Sequence, residues 1–352
     1  MNRVTEQLMA GRRRPVVTPR GARGLTLVEL MVAMLLGLIV IGVVLSVFLA
    51  GKQSFRTNFA VGEVGDRGRI AFELLGRDIR QAGLTGCGNL GRVANVLNNS
   101  PAGGGTAWWA NWSNAVMGYD GDSADPATTT GSAVGQRVGG TDSIELVSTA
   151  GSGLSVASHD PTSATIKLNE ASASLQPGDI VVVCDPDHAA ITQITNYNSA
   201  NVTLVHNTGN SVSPGNCSKG LGYPTQCATV GNTYTFGPNS QIALFSADDW
   251  FIGNNPAGGR SLYRAALDNA GGTISPTAQE MVRGVTDMQI LYHQRSTNNF
   301  VAAGTVTSWA DIDAVQVTLT LQSDTQRVTT DSAPQPLTRM LTSTFTLRNR
   351  VS

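Results

Sequence analysis

In 352 residues the chain carries only 14% charged side chains and as many as 39 glycines, where soluble domains average about 25% charged and about 7% glycine. Lys+Arg total 24 against 25 Asp+Glu, and lysine occurs only at 52, 167 and 219, so the basic face of a specific nucleic-acid binder is missing. Four cysteines exclude a disulfide-dense mini-scaffold, and the abundance of Gly, Ser, Thr and Asn points to a β-rich, loop-rich exported protein with a sizeable core.

The charge is unevenly spread. Residues 1–24 hold Arg3, Arg12, Arg13, Arg14, Arg20 and Arg23 against Glu6, a net of +5, which leaves 18 basic and 24 acidic side chains for the rest. A basic stretch ahead of an apolar one keeps the N-terminus in the cytoplasm. The apolar stretch runs from Leu25 to Ala50, and no charge falls between Leu30 and Gly51. Those 22 residues make about 33 Å of helix, enough for a bilayer core of about 30 Å. A single-pass helix is expected, with the remainder of the chain across the membrane. The run exceeds the apolar core of a cleavable secretory signal, and Ser46-Val-Phe-Leu-Ala50 is a poor cleavage site. A plain anchor leaves Glu29 unexplained, since a carboxylate inside a membrane helix costs a few kcal/mol, on the order of 3.

Arg23-Gly-Leu-Thr-Leu-Val-Glu29-Leu resembles the type III signal of type IV pilins and pseudopilins. The resemblance implies that a prepilin peptidase cuts after Gly24, that Leu25 becomes the N-methylated terminus, and that Glu29 is the fifth mature residue. Leu25 stands where Phe is commoner. The new α-amino group at Leu25 is a positive charge at or in the bilayer, and Glu29 one helical turn on can neutralise it, in its own subunit or a neighbour's. The implied layout is a leader over 1–24, a transmembrane and fibre-core helix over 25–51, its amphipathic continuation over 52–84, and a periplasmic head over 85–352.

From Lys52 to Gly83 the pattern stays helical. Glu63–Arg67, Arg69–Glu73 and Glu73–Arg77 are spaced i,i+4, and Phe55 with Phe59 and Ile70 with Leu74 mark an apolar face. With the membrane run this makes about 60 residues, on the order of 90 Å. No proline interrupts the helix, and Gly37, Gly42, Gly62, Gly65 and Gly68 are its soft points. Gly83 is placed as a C′ residue with positive φ. Arg77-Asp-Ile-Arg-Gln-Ala-Gly83-Leu-Thr-Gly-Cys87 resembles the helix exit of the PilW family of minor pilins. Within it Gly86-Cys-Gly-Asn-Leu-Gly91 spells a dinucleotide fingerprint, but it follows a helix rather than a strand, so the formula has no meaning here.

Residues 88–140 are low in charge and carry Trp108, Trp109 and Trp112, expected to fill a satellite core rather than to form a binding surface. Asp120-Gly-Asp-Ser-Ala-Asp125 lacks the remaining ligand positions of an EF-hand and reads as a turn. Strands follow at Ser143–Thr149, Thr165–Leu168, Asp179–Cys184, Ala190–Ile194, Asn201–His206, Thr233–Phe236, Gln241–Ser246, Ser261–Arg264, Val285–His293, Ala314–Gln322 and Leu341–Arg348. The series Met281–Tyr292, Val315–Leu321 and Phe345-Thr-Leu-Arg-Asn349 resembles PilW-like and J-type pseudopilin heads, whereas the resemblance hardly covers residues about 95–175 and 207–232, where loop insertions are expected near 95–140 and 207–232. The fold expected is α+β and pilin-like: a long N-terminal helix packed on an antiparallel β-rich head.

Cys87, Cys184, Cys217 and Cys227 are disulfide candidates in a periplasmic head. Four cysteines allow three pairings. Cys217 and Cys227 close a short loop, leaving Cys87 for Cys184. A metal site has no C-x2-C pair to rest on. No catalytic motif is present, and His159, His188, His206 and His293 read as scattered structural residues, as does Asp185-Pro-Asp-His188.

The resemblance implies a non-enzymatic minor pilin that primes or caps a type IV pilus, without metal or cofactor. Its implied partners are other minor pilins, the major pilin, the prepilin peptidase/methyltransferase, the inner-membrane assembly platform, and the lipid bilayer before assembly; specific nucleic-acid binding is not among them. It would begin as a single-pass inner-membrane protein and end in the fibre at the cell surface. The alternatives are a minor pseudopilin of type II secretion and a tip-displayed adhesin carried by the Trp-rich insert.

Overall fold

The computed structural model describes residues 24–88, 91–209, 211–295, 297–326, 328 and 335–348. The expected leader, except Gly24, and Asn349 of the closing Leu-Arg-Asn lie outside them. The chain divides into two units, Met1–Phe55 and Arg56–Ser352.

Helix α1 spans Leu27–Gln81 without interruption. In the first unit its apolar side chains are exposed all round, from Leu27 through Leu38 and Val44 to Leu49. Apolar length and composition suit this segment to cross a membrane. In the second unit α1 buries a stripe of Ala60, Val64, Gly68, Ala71, Leu75 and Ile79. Of the residues expected to mark the apolar face, Leu74 packs against the main core, while Phe55, Phe59 and Ile70 remain 71%, 59% and 46% exposed. Close approach decides the matter. A Cβ on Gly68 would lie 2.5 Å from Leu341 Cδ1, and one on Gly76 would lie 2.4 Å from Phe345 Cε1. Gly68 is therefore a packing position rather than a soft point. Of the three expected i,i+4 pairs, Glu63–Arg67 closes at 2.7 Å, while Arg77 turns to Asp78 at 3.1 Å.

The head is built from β1 (Val93–Asn95), β2 (Val116–Tyr119), β3 (Ser143–Asp160), β4 (Thr165–Leu168), β5 (Ile180–Cys184), β6 (Ala189–Gln193), β7 (Asn196–Asn198) and β8 (Thr203–Val205). It continues with β9 (Gln241–Asn254), β10 (Arg260–Ala270), β11 (Thr273–Arg283), β12 (Val285–Gln294), β13 (Phe300–Val301), β14 (Ile312–Gln322) and β15 (Thr338–Thr346). Among the described residues, eleven strands form one sheet with β9 at its centre. β3 runs along one edge of β9, and β5 and β10 share the other. The pairings are antiparallel except β1 with β6, which makes this sheet mixed. A second, antiparallel sheet has the order β13-β12-β14-β15. The main core lies where the α1 stripe meets this second sheet and one face of β3, β9 and β10, with Ile144, Leu146, Trp250, Ile252 and Leu262 contributed from that face. Thus the helix is the shared layer on which two sheets bury their apolar faces.

Several strands differ from expectation. Thr233–Phe236 belongs to no strand ladder; Phe236 is buried instead among apolar side chains and histidines. β3 runs on past Thr149 because the Gly151–Gly153 stretch is crossed by a register shift rather than a break. β11 has no counterpart among the expected strands.

Candidate functional site

Gly24 and Leu25 are fully accessible ahead of the helix, Leu25 being 76% exposed. Thr26 is the residue that starts α1. Its carbonyl accepts the first intrahelical bond from Leu30 N–H at 3.1 Å. Its hydroxyl accepts from Glu29 N–H at 3.2 Å, and Glu29 Oε2 accepts in return from Thr26 N–H and Oγ1–H, both at 3.0 Å. Thr26-Leu-Val-Glu29 is thus a reciprocal capping box. Glu29 is held where its carboxylate faces the chain just beyond Leu25, at the helix end where a negative charge is favoured. Glu29 was legible in the sequence as an out-of-place charge; Thr26 as its partner was not.

At the other end, Gly83 takes φ 75°, as expected of a helix-ending glycine. Its N–H does not close a local cap. It bonds Val147 O of β3 at 2.8 Å, and Thr149 Oγ1 bonds Leu84 O at 2.9 Å, so the exit is fastened to the sheet. One turn earlier lies a buried polar hub that sequence reasoning missed. Trp250 Nε1–H donates to Asp78 Oδ2 at 3.1 Å, and Arg77 holds Oδ1. Arg264 lies 4.0 Å from Asp78, 3.6 Å from Asp248 and over the Trp250 ring. Burial, followed by the Asp78 charge, pushes the Asp248 carboxyl up to about 6. The Arg-Asp at the quoted helix exit is therefore a specific tie between α1 and the sheet.

The cysteines pair as Cys87–Cys184 and Cys217–Cys227. The first bridge links the helix exit to the end of β5, and the second closes a loop beside β1. Trp109 is buried and Trp108 and Trp112 partly so, against Val147, Ala247 and Phe245, which makes the Trp-rich segment a satellite core. Asp120 accepts from Ala303 N–H and Gly304 N–H at 3.0 and 2.7 Å, an anchor for a neighbouring loop.

The histidines are less scattered than expected. His159 and His206 meet at 3.2 Å between Nε2 atoms, and His188 stacks on Tyr234 beside Phe236. His159 Nδ1 accepts from Phe236 N–H, which assigns its proton to Nε2 and leaves His206 Nε2 as the acceptor. Burial lowers both, His159 to about 4 and His206 to about 3, so the pair is neutral. His293 lies apart and bonds Asp313 at 2.6 Å. Among the described residues no three His, Cys, Asp or Glu are placed to share a metal ion.

Residues 249–349 match the family model described as type IV pilus-assembly protein W, and residues 19–45 match the prokaryotic N-terminal methylation motif. The first match runs from β9 through β15, including the strands that pack on Gly68 and Gly76; the second covers the capping box and the exposed apolar part of α1. The Arg77–Cys87 stretch lies outside both. No curated protein and no solved structure matches the chain.

Proposed function

From a chain that these two matches identify as a PilW-type minor pilin with a role in type IV pilus assembly, we propose that it primes or caps the fibre together with other minor pilins. The observation that carries this is the pairing of a methylation-type N-terminus, on an exposed apolar helix, with a PilW-matched sheet packed on that helix's second half. In this proposal the prepilin peptidase removes 1–24, Leu25 is methylated, and the chain is a substrate of that enzyme rather than a catalyst. The basic leader stays in the cytoplasm while the head, with its two disulfides, folds in the periplasm.

Glu29 is then the assembly residue. In the uncut chain its carboxylate is occupied by Thr26; cleavage creates an ammonium one residue away that competes for it, within the subunit or from a neighbour in the fibre. The head would dock with other minor pilins and the major pilin after the inner-membrane platform gathers them. Deleting the protein should abolish or sharply reduce surface pili, and the wild-type chain but not Glu29→Ala should restore them. Unchanged pilus number with a secretion defect instead would assign the chain to a type II secretion pseudopilus.

A further inference from the structure

β3 and β9 alternate in what they face. Ile144, Leu146, Trp250 and Ile252 enter the main core, so the cross-strand partners Glu145 and Asp249 point to the opposite face. On that face Trp109 and Ala110 pack against Val147 and Ala247, and the loop that follows β2 brings Asp125 down onto it; Ser143 Oγ–H donates to Asp125 Oδ2 at 2.5 Å. Asp125, Glu145 and Asp249 are 7%, 3% and 0% exposed. Glu145 Oε2 accepts from Tyr119 Oη–H at 3.1 Å, but Glu145 Oε1 and both oxygens of Asp249 receive no donor from any described residue. Asp125 is within hydrogen-bonding reach of Asp249. The nearby cation, Arg137, is fully buried and spends its donors on the carbonyls of Thr141, Ser123, Tyr119 and Asp120. The facing groups are therefore Tyr119 from β2, Asp125 and Arg137 from the loop that follows it, Glu145 from β3 and Asp249 from β9, while Tyr292 of β12, buried in the main core, feels the charges of Asp142, Asp120 and Asp249.

Three buried carboxyl groups facing one committed arginine cannot all be ionised, and they are not placed to share a metal ion. Hydrogens are what remain: a protonated carboxyl donates to its neighbour and supplies the bond that each bare oxygen lacks. We propose that Asp125, Glu145 and Asp249 form a proton-dependent clasp that fastens the Trp-bearing stretch 105–115 and the loop 120–130, on either side of the paired strand β2, to the head sheet, so that loss of protons to solvent lets them lift and uncover Trp109.

The shifts agree in direction. Burial first and the Asp125 charge second push Glu145 up to about 8, and Asp249 stands well above the ordinary carboxylate range for the same reasons. An acid raised when closed and ordinary when open favours the closed form fully below its ordinary value. That advantage is lost as pH rises, by about tenfold per pH unit for each acid, until the raised value is passed. For Glu145 the window runs from 4.5 to about 8.

The test is hydrogen exchange with mass spectrometry on the full chain in detergent, from pH 5.5 to 7.5, corrected for the intrinsic pH dependence of exchange. Peptides within 105–115 and 120–130 should lose protection by about ten- to a hundredfold per pH unit, one or two acids acting. Asp249→Asn with Glu145→Gln, which carry amide hydrogens permanently, should flatten that slope; Glu145→Gln alone should at least halve it and serves if the double variant does not fold. Equal slopes in wild type and variants, or no slope in the wild type, would overturn the clasp. So would protection restored at pH 7.5 by 1 mM (roughly) calcium chloride and removed by a chelator, which would make the cluster a cation site.

Discussion

Replacing Asp78 by Ala should detach α1 from the head sheet more than any other single polar change. The carboxylate is 7% exposed and accepts from Trp250 Nε1–H at 3.1 Å, with Arg77 on its other oxygen and Arg264 at 4.0 Å. Truncation leaves a buried indole N–H without an acceptor and takes a counter-charge from Arg264, which is only 23% exposed. Removing one partner of a buried charged pair costs about 3–5 kcal/mol. Asp78→Asn keeps an acceptor for Trp250 and should cost about 1–2 kcal/mol, the difference between a charged and a neutral hydrogen bond. The assay is urea unfolding of the full chain in detergent, followed by near-ultraviolet circular dichroism, with Trp250→Phe as the second arm of a double-mutant cycle. The indole–carboxylate bond predicts a coupling of about 1.5–3 kcal/mol. Additive single changes, or an Asp78→Ala cost below about 0.5 kcal/mol, would refute the hub.

Gly76→Ala puts a methyl 2.4 Å from Phe345 Cε1 and should destabilise the head by about 1–3 kcal/mol in the same unfolding assay; Phe345→Leu in the same chain should recover part of the loss. The Cys87–Cys184 bridge closes a loop of 97 residues and Cys217–Cys227 one of 10. On the chain-entropy account, removing the first should cost about 4.7 kcal/mol and the second about 2.7, read as shifts in urea midpoint of the Cys→Ala pairs. His159 and His206 are neutral when folded, lowered to about 4 and about 3, and titrate near 6.5 when unfolded. Their stabilising contribution is present above 6.5 and is lost as pH falls toward 4, by up to tenfold in the folding constant per pH unit and histidine. His159→Phe with His206→Leu should therefore make the acid limb of stability against pH shallower; an unchanged limb would exclude the pair as its origin.

What the sequence made legible and what it hid follow from range. The α1 helix, its exposed apolar half and the Gly83 exit depend on local periodicity and on one backbone conformation, and these are written in neighbouring residues. β12 and β14 alternate cleanly because only one face of their sheet is buried. The buried stripe of α1 was hidden because Gly68 and Gly76 contribute absence of bulk, and only Leu341 and Phe345, far along the chain, give that absence its use. Thr233–Phe236 has strand composition but spends it on packing around histidines rather than on a ladder. In the candidate site, Gly24, Leu25 and Glu29 stood out by register with an apolar run, a one-dimensional signal. The Asp78–Trp250 tie and the meeting of Asp249 with Asp125 and Glu145 each bridge more than a hundred positions, and nothing in the chain order announces them.

The central claim is that the N-terminus is processed as a pilin, and it is tested most directly by the N-terminal mass of the chain extracted from membranes of hosts with and without a prepilin peptidase. The proposal predicts a chain beginning at methylated Leu25 only where the peptidase is present. An intact Met1 in both hosts would contradict it and leave a membrane-anchored β-rich head with no part in building a fibre.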